Sequence, residues 1–309
     1  STPSMDVEGV GPSTEMEWKA VMLGKPDDDY YAALVDLEND HWSVKTVEHS
    51  YIHSPLEWHR AWLDIAETEE HRIERAKAVK LLIWLQTSAY LMDDSSMQHG
   101  PRRLLPVQKV KMHHQKDTLI DISDPFERQI MVMNADCLEA AQSVQFASFT
   151  KVAVLNMAST TKPGGQVERG ANSQEADIFR RTDFCRHSER YFHNEYYALS
   201  EGDSVVMVQS GVAKVRGPEN QGYPFLDDRL DTIDVVSMTV RKKPNTVTNK
   251  ETKVRHYCGD EQLGITMRIR LLLHTIIHME YTAVILSALG CGLDEHPPEE
   301  VAKVFKKEM

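Results

Sequence analysis

The stretch that decides the fold is Lys151–Asp183, which reads KVAVLNMASTTKPGGQVERGANSQEADIFRRTD. It opens with a short apolar run, residues 152–155, which is typical of a buried β-strand. Small polar residues and the turn Pro163-Gly164-Gly165 follow, and the stretch ends in a charged helical pattern. A strand that leads through a glycine loop into a helix is suited to hold a phosphate, because glycine lets the backbone approach the ligand and the helix-start N–H groups favour negative charge. The same joint also occurs without a ligand, so alone it leaves both alternatives open.

Composition restricts the classes of function that the chain can serve. Its 309 residues are enough for one large domain, or for a domain with a substantial extension. The chain carries 47 acidic and 35 basic residues, and the formal net charge of −12 argues against a nucleic-acid groove. That charge suits a basic or cationic partner and equally suits plain solubility. We therefore expect no nucleic-acid partner.

Cysteines and apolar runs indicate the compartment. The four cysteines have no CxxC spacing, so we predict free thiols of an intracellular protein instead of a disulfide or zinc framework. The polar first residues predict no secretory leader, and no apolar run reaches membrane-spanning length. We expect a soluble protein without a membrane partner.

Two helical patterns precede the decisive stretch. Ser54-Pro55 is typical of a helix start, apolar residues then recur near helical spacing, and a second helical run covers residues 70–92. Such stripes predict a layer packed on a following domain, the alternative being a surface for a protein partner. Residues 93–106 are rich in turn formers, so we predict a mainly helical accessory region, 1–105, and a second domain, 106–309.

The second domain alternates apolar runs with helical patterns, which predicts a three-layer α/β/α sandwich with its loops at the strand C-termini. Residues 241–253 are polar and basic and predict a surface excursion, and residues 223–234 predict an acidic loop. Helices are predicted at 137–144, 191–199, 267–279 and 298–307, and strands at 107–112, 119–122, 129–133, 152–155, 204–209, 213–216, 234–240 and 282–288.

The decisive stretch resembles the signature of the microbial-type poly(ADP-ribose) glycohydrolases, a branch of the macrodomain proteins. In that family a Gly-Gly-Gly loop precedes Gln-Glu-Glu. Here residues 163–166, Pro-Gly-Gly-Gln, precede Gln-Glu-Ala-Asp at 174–177 by seven residues. The sequence departs from the signature at two positions, because Gln166 replaces the third glycine and Ala176 replaces the second glutamate.

Two further motifs resemble the family in the same order, and three ordered motifs are more specific than one. A predicted strand runs into Asn134-Ala135-Asp136 ahead of a helix, and a helix with paired arginines and an apolar strand lead into Gly290-Cys291-Gly292. The resemblance covers residues 129–305 and implies a macrodomain-like sandwich with a mixed central sheet, preceded by an N-terminal helical extension.

The resemblance implies a site for ADP-ribose. Asp136 would accept a hydrogen bond from the exocyclic amine of adenine, although Asp in that place is also an ordinary helix N-cap. The two glycine loops would hold the diphosphate through backbone N–H groups. The ADP-ribose-binding residues that we predict are Asn134, Asp136, Cys137, Asn156, Gly164, Gly165, Gln166, Gln174, Ser287, Gly290, Cys291, Gly292 and Leu293.

Hydrolysis at the anomeric carbon of ADP-ribose passes through an oxocarbenium-like state and requires a nearby carboxylate. In the family the second glutamate of the signature does this work, which Ala176 cannot do. The predicted catalytic residues are Glu175, Asp177 and Asp183, although neighbouring helix positions point about 100° apart, so that Asp177 projects away from the direction of Ala176. A predicted acidic loop on the substrate side contributes Asp227, Asp228 and Asp231, acids that are individually just as typical of solvated surface charge.

An acidic rim suits a cationic group such as guanidinium. Our hypothesis is therefore an ADP-ribosyl hydrolase that removes mono-ADP-ribose from protein side chains, with arginine linkage favoured. We expect no cofactor and no metal, since no His, Cys or carboxylate cluster has ligand spacing. The expected partners are ADP-ribose and an ADP-ribosylated protein, with a protein partner on the N-terminal helices.

The resemblance extends to bacterial effectors that reverse arginine-linked ADP-ribosylation of host proteins such as ubiquitin. The expected location is therefore intracellular, including delivery into a host cell. Two alternatives remain: a non-catalytic ADP-ribose reader, favoured by the loss of the second glutamate, and a poly(ADP-ribose) glycohydrolase with a repositioned acid.

Overall fold

The structure is a computed structural model that describes residues 55–67, 72–92, 111–114, 129–148, 151–160, 163–185, 205–226 and 231–309. Within these ranges the helices and strands are, in chain order, α1 (Pro55–Glu67), α2 (Arg72–Met92), β1 (Lys111–His114), α3 (Cys137–Ser148), β2 (Val152–Met157), α4 (Gln174–Arg181), β3 (Val205–Ala213), β4 (Thr232–Met238), β5 (Thr246–Thr248), β6 (Arg255–Tyr257), α5 (Glu261–His278), β7 (Ala283–Ile285) and α6 (Pro298–Glu308).

The described residues group into two compact units. The helical unit takes its residues from 1–105, 164–186 and 213–230, and the sheet unit takes its residues from 106–163, 187–212 and 231–309. Two later segments of the chain thus group with the N-terminal helices. Whether residues 1–105 act as an accessory region of their own stays a prediction.

The sheet unit is built on a five-stranded mixed sheet in the order β1-β3-β4-β2-β7. The central strand β2 pairs in parallel with β4, where Val154 lies opposite Val235, and in parallel with β7, where Val154 lies opposite Ile285. The strand β1 pairs with β3 in antiparallel fashion. The predicted α/β class with a mixed central sheet is confirmed.

The core of the sheet unit explains why the first four residues of β2 are apolar. Residues 152–155 are all buried, as expected of a central parallel strand that is covered on both faces. Apolar side chains of α5 and α6, such as Ile269, Leu272 and Val304, join those of β2, β3 and β4 in one buried cluster. The predicted helices at 267–279 and 298–307 are thus present, the first of them extending back to Glu261.

The helical unit packs α1 and α2 around aromatic side chains. The indole of Trp58 is fully buried, stacks on Trp62 at 5.6 Å and meets the ring of Tyr223 edge-on at 5.0 Å between centroids. Its Nε1 donates a hydrogen bond to the carbonyl oxygen of Val79, which joins α1 to α2. Gly170 lies so close to α2 that an added Cβ would be 2.0 Å from the carbonyl oxygen of Lys77. The loop ahead of α4 is therefore fitted to the N-terminal helices.

Several sequence predictions differ from the structure. Residues 129–133 were expected to form a strand, and this expectation is wrong: they have no regular structure, and the side chain of Val132 is 94% exposed. Strand propensity yields a strand only where a neighbouring strand completes the hydrogen bonds, and none of the described strands pairs with this segment. Residues 213–216 form isolated bridges, Thr182 with Lys214 and Arg216 with Phe225, beyond the end of β3. The elements predicted at 119–122 and 191–199 and the boundary at 93–106 lie outside the described residues.

Candidate functional site

In the helical unit, the signature begins with three consecutive residues in the left-handed region. The φ angles are 84° at Gly164, 54° at Gly165 and 67° at Gln166. An added Cβ on Gly165 would lie 2.8 Å from Ser173 Oγ and 3.0 Å from Glu175 Oε2, so only glycine fits there. Gln166 holds the backbone conformation that glycine favours, at a cost of about 1 kcal/mol or more for a side-chain-bearing residue. The loop thus keeps the shape of a glycine bend without the third glycine.

The bend leads into α4 through a capped start. Ser173 is the N-cap residue, and its Oγ accepts a hydrogen bond from the amide of Ala176 at 3.2 Å. Glu175 lies in the first turn, is 2% exposed, and directs its carboxylate against Gly165. Gln174 is half-buried, whereas the methyl group of Ala176 is entirely buried. The first glycine bend and Glu175 are therefore brought together.

Asp177 is held in an ion-pair network. Its Oδ2 accepts a hydrogen bond from Arg181 at 3.0 Å, its Oδ1 accepts one from the hydroxyl of Tyr223 at 2.8 Å, and Arg180 Nε lies 3.9 Å away. Burial alone would raise the pKa of Asp177, but Arg181 and Arg180, together with the hydrogen bonds, hold that pKa below its usual value. Asp177 is thus a fixed anion that stabilises the helix and is poorly suited to donate a proton.

Asp183 closes the far end of α4. The side chain is 1% exposed, its Oδ1 accepts a hydrogen bond from the amide of Ala213 at 2.7 Å, and its own amide donates to the carbonyl oxygen of Ala213 at 2.9 Å. Such a carboxylate anchors one backbone segment to another. The geometry favours a positioning role for Asp183, and its predicted catalytic role stays a prediction.

Lys80 of α2 extends the network to residues that the sequence did not single out. Its ammonium group is buried and donates hydrogen bonds to Asn172 and, at 2.7 Å, to Glu219. The hydroxyl of Tyr223 lies 3.0 Å from Glu219 Oε2 and 2.8 Å from Asp177 Oδ1, so the two carboxylates share its single proton. Burial lowers the pKa of Lys80, against the opposing effect of Glu219. These partners are far apart along the chain, so no spacing rule predicts them.

In the sheet unit, Asp136 is the N-cap of α3. Its Oδ1 accepts hydrogen bonds from the amides of Leu138 at 3.0 Å and Glu139 at 3.1 Å. The N-cap alternative is thus realised, and adenine recognition by Asp136 stays a prediction. Asn134 is exposed, whereas Cys137 is half-buried in the first turn of the helix.

Asn156 lies near the carboxyl end of β2. Its side chain is 1% exposed, and Nδ2 donates a hydrogen bond to Ser237 Oγ of β4 at 3.1 Å. Because β2 and β7 run parallel, Ser287 and the glycine bend after β7 lie at the same end of the sheet as Asn156, where these strands have their carboxyl ends. Ligands of open α/β sheets bind at that end. The structure therefore brings these predicted residues to one end of the sheet.

The second glycine bend, residues 290–292, is braced by His296. Gly290 has a φ of 72°, and an added Cβ would lie 2.6 Å from His296 Cδ2. His296 Nε2 is 2.7 Å from the carbonyl oxygen of Arg241, and a carbonyl only accepts, so Nε2 carries the proton and Nδ1 accepts from the hydroxyl of Tyr257 at 2.6 Å. Burial lowers the pKa of His296 and so favours its neutral form. Neither His296 nor Tyr257 was predicted.

The rest of the second bend is open. Burial raises the pKa of the Cys291 thiol, whose Sγ donates to the carbonyl oxygen of Leu289 at 3.5 Å. An added Cβ on Gly292 would meet nothing within 4 Å, and the side chain of Leu293 is 89% exposed.

The acidic loop is described only in part. Asp231 is half-buried, and its Oδ2 accepts a hydrogen bond from Gln142 Nε2 of α3 at 2.7 Å. Asp227 and Asp228 lie outside the described residues. Within the ranges that the structure describes, no three His, Cys, Asp or Glu side chains are grouped to hold a metal ion, and no helix is long and apolar enough to cross a bilayer.

The fold is similar to that of solved structures. Poly(ADP-ribose) glycohydrolase (PARG) from Thermomonospora curvata has a similar fold, with a TM-score of 0.55 and 19% identity over 74% of this chain and 86% of that one. The complex of that enzyme with the inhibitor ADP-HPD gives a TM-score of 0.53 and 18% identity over 74% of this chain and 85% of that one. A search of curated proteins finds no match.

The family comparison covers the signature. Residues 84–211 match the family described as microbial-type PARG, catalytic domain. This segment contains the first glycine bend and Glu175, and it includes the end of α2. Residues 84–211 are therefore similar to the microbial-type PARG catalytic domain, and the predicted resemblance, the fold class and the class of glycosidase-type ADP-ribose hydrolases are confirmed.

Proposed function

We propose that this protein binds ADP-ribose and hydrolyses the bond at its anomeric carbon, releasing mono-ADP-ribose from protein side chains, with arginine as the favoured linkage. The observation that carries the proposal is the placement of the Glu175 carboxylate against the Gly165 bend. One short segment thereby supplies backbone N–H groups suited to a diphosphate and an acid suited to the adjacent anomeric carbon.

Glu175 is the best-supported catalytic residue of the three predicted acids. Asp177 is committed to Arg181 and Tyr223, and Asp183 is committed to the backbone of Ala213. In the proposed reaction Glu175 takes a proton from a water molecule, the water oxygen bonds to the anomeric carbon, and the bond from that carbon to the guanidino nitrogen breaks. The proton passes to the departing nitrogen, so that arginine leaves as its guanidinium ion and the atoms and charges balance.

Arginine linkage is supported by charge. A net charge of −12 and the acids Asp227, Asp228 and Asp231 suit a guanidinium group, which pairs with carboxylates in bidentate fashion. Host proteins such as ubiquitin are candidate substrates that would carry the ADP-ribosylated arginine. A polymer of ADP-ribose carries no such cation, so an acidic rim is of no use for its recognition.

The second candidate function is a reader that binds ADP-ribose without turnover. Ala176 favours it, because a buried methyl group stands where the resemblance implies the catalytic glutamate. The third is poly(ADP-ribose) hydrolysis, favoured by the family that residues 84–211 match.

The test is hydrolysis of an ADP-ribosyl-arginine peptide, followed by chromatography of the released ADP-ribose. Glu175→Gln should lower the rate by about 10²-fold or more, as expected for loss of a general acid–base group, and should keep ADP-ribose affinity. Glu168→Gln, in the same loop, is the matched control and should retain the rate.

The outcomes separate the three functions. ADP-ribose binding by the wild type without release identifies a reader, and faster release from poly(ADP-ribose) than from the peptide identifies a polymer hydrolase. Absence of both binding and release overturns the proposal.

A further inference from the structure

Residues 241–255, RKKPNTVTNKETKVR, form a basic hairpin that the proposed function does not use. They carry six basic residues and one acidic residue, a net charge of +5 in a chain whose total is −12. The strand β5 lies within it and pairs in antiparallel fashion with β6, which begins at Arg255 and places His256 opposite Val247. A concentration of positive charge in an acidic protein therefore projects from the sheet unit.

The cations of the basic hairpin divide into two groups. Arg241 pairs with Glu261 at 2.8 Å, Lys243 lies 3.3 Å from Glu295, and Arg255 donates hydrogen bonds to Thr246 Oγ1 and to the carbonyl oxygen of Glu295. The other three cations are exposed and form no ion pair with any described residue: Lys242, Lys250 and Lys253. Three ammonium groups thus remain available.

The hairpin holds its lysines in a defined backbone. Asn249 Oδ1 accepts hydrogen bonds from the amides of Glu251 and Thr252, and the amide of Lys253 donates to the carbonyl oxygen of Asn249 at 2.9 Å. Lys253 has a φ of 59° and Lys243 a φ of 50°. Glycine or asparagine at these two positions would adopt a positive φ at lower energetic cost than lysine. Stability of the turn alone therefore does not explain the two lysines.

The base of the hairpin is bonded to the loop that contains the second glycine bend. The amide of Lys243 donates to the carbonyl oxygen of Asp294 at 2.9 Å, and Arg255 reaches the carbonyl oxygen of Glu295 at 2.9 Å. His296, which braces Gly290, binds the carbonyl oxygen of Arg241. Whatever the second bend holds, the hairpin is fixed beside it.

We infer that the basic hairpin binds acidic side chains of the ADP-ribosylated protein, an inference that rests on the proposed function. The three available cations are lysines, whose ammonium groups pair with carboxylates as point charges, and both arginines, whose planar groups give bidentate recognition, are engaged within the protein. Residues 241–255 contain no aromatic side chain on which a base would stack. A protein segment fits this surface better than a nucleic acid or a polymer of ADP-ribose.

Two synthetic ADP-ribosyl-arginine peptides test the inference. One has glutamates at the positions flanking the modified arginine, and the other has glutamines there. For the wild type, kcat/KM should be about tenfold higher for the acidic peptide at low salt, through KM, and the preference should shrink at high salt. Binding to Glu175→Gln provides the same comparison without turnover.

Two double variants show whether the basic hairpin causes the preference for the acidic peptide. Lys242→Glu combined with Lys250→Glu should abolish the preference and leave the neutral peptide unaffected. Lys306→Glu combined with Lys307→Glu, at exposed positions of α6, changes the net charge equally and should preserve the preference.

Each outcome has a distinct meaning. If the wild type cleaves the two peptides with equal kcat/KM, the inference is wrong and the proposed function still holds. If neither peptide is bound or cleaved, the proposed function fails, and the inference falls with it. If poly(ADP-ribose) competes better than an unmodified acidic peptide of equal charge, the hairpin is a polymer site and the inference is wrong.

Discussion

The two glycine bends look alike in sequence but have different surroundings. Around residues 164–166 the neighbours are side chains of the same segment, including Ser173 and Glu175. Around residues 290–292 the support comes from His296, while Gly292 faces open space. The first bend is local and carries an acid, whereas the second depends on partners as distant as Arg241 and Tyr257.

This difference separates two requirements of an ADP-ribose hydrolase. The diphosphate requires backbone donors, for which each bend is a candidate, and the chemistry requires a carboxylate held close to the ligand. At the first bend the carboxylate of Glu175 lies against Gly165. We therefore expect changes at the first bend to alter ligand binding and turnover, and changes at the core of the second bend to alter stability.

The largest expected effect is that of Gly290→Ala on stability. The new Cβ would lie 2.6 Å from His296 Cδ2 and 2.8 Å from Val240 Cγ2 at a φ of 72°. Strain and a forced shift of a packed side chain should lower the free energy of unfolding by about 3 kcal/mol, measurable by urea denaturation. A loss below about 0.5 kcal/mol would show that His296 does not brace the bend, since unremarkable surface substitutions stay within that range.

The next effect compares Gly165→Ala with Gly292→Ala in ADP-ribose binding. At Gly165 the methyl group would meet Ser173 Oγ and Glu175 Oε2, and Ser173 is not free to move because it caps α4. We expect a loss of affinity of about tenfold, or about 1.4 kcal/mol. At Gly292 the methyl group meets nothing within 4 Å, so calorimetry should find little change. The reverse order of effects would place the diphosphate on the second bend alone.

The sequence predicted the parts of the molecule whose causes are local. The bend at 164–165, the helix that follows it and the apolar start of β2 each follow from a few adjacent residues. The resemblance made Glu175 a candidate on the same basis, and its catalytic role stays a prediction. These features depend on no distant partner, so one stretch of the chain was sufficient to predict them.

The sequence did not predict features that depend on distant partners. Lys80 binds Glu219 across 139 positions, and Tyr257 binds His296 across 39. The segment 129–133 has the composition of a strand, but no described strand pairs with it. Its spacing made Asp177 a candidate acid but did not reveal that Arg181 and Tyr223 bind its carboxylate.

The smallest effect is a pH dependence that distinguishes the bends. The pKa of His296 lies below its usual value because burial disfavours the charged ring. Its contribution to stability is therefore present above the unfolded pKa of about 6.5 and is lost as the pH falls toward the folded pKa. The wild type should lose more free energy of unfolding between pH 7.5 and pH 5 than His296→Gln, in which an amide replaces the ring donor and acceptor.

The contribution of the first bend to the free energy of unfolding should not change between pH 7.5 and pH 5. Asp177 also has a depressed pKa, but for a carboxylate the contribution persists above the unfolded value of about 3.9 and is lost only as the pH falls below it. His274, whose pKa burial also lowers, is common to the wild type and the variant, so its contribution cancels in the comparison. Equal loss of stability in the wild type and His296→Gln would mean that protonation of His296 does not affect the free energy of unfolding. The two bends would then differ only in their packing.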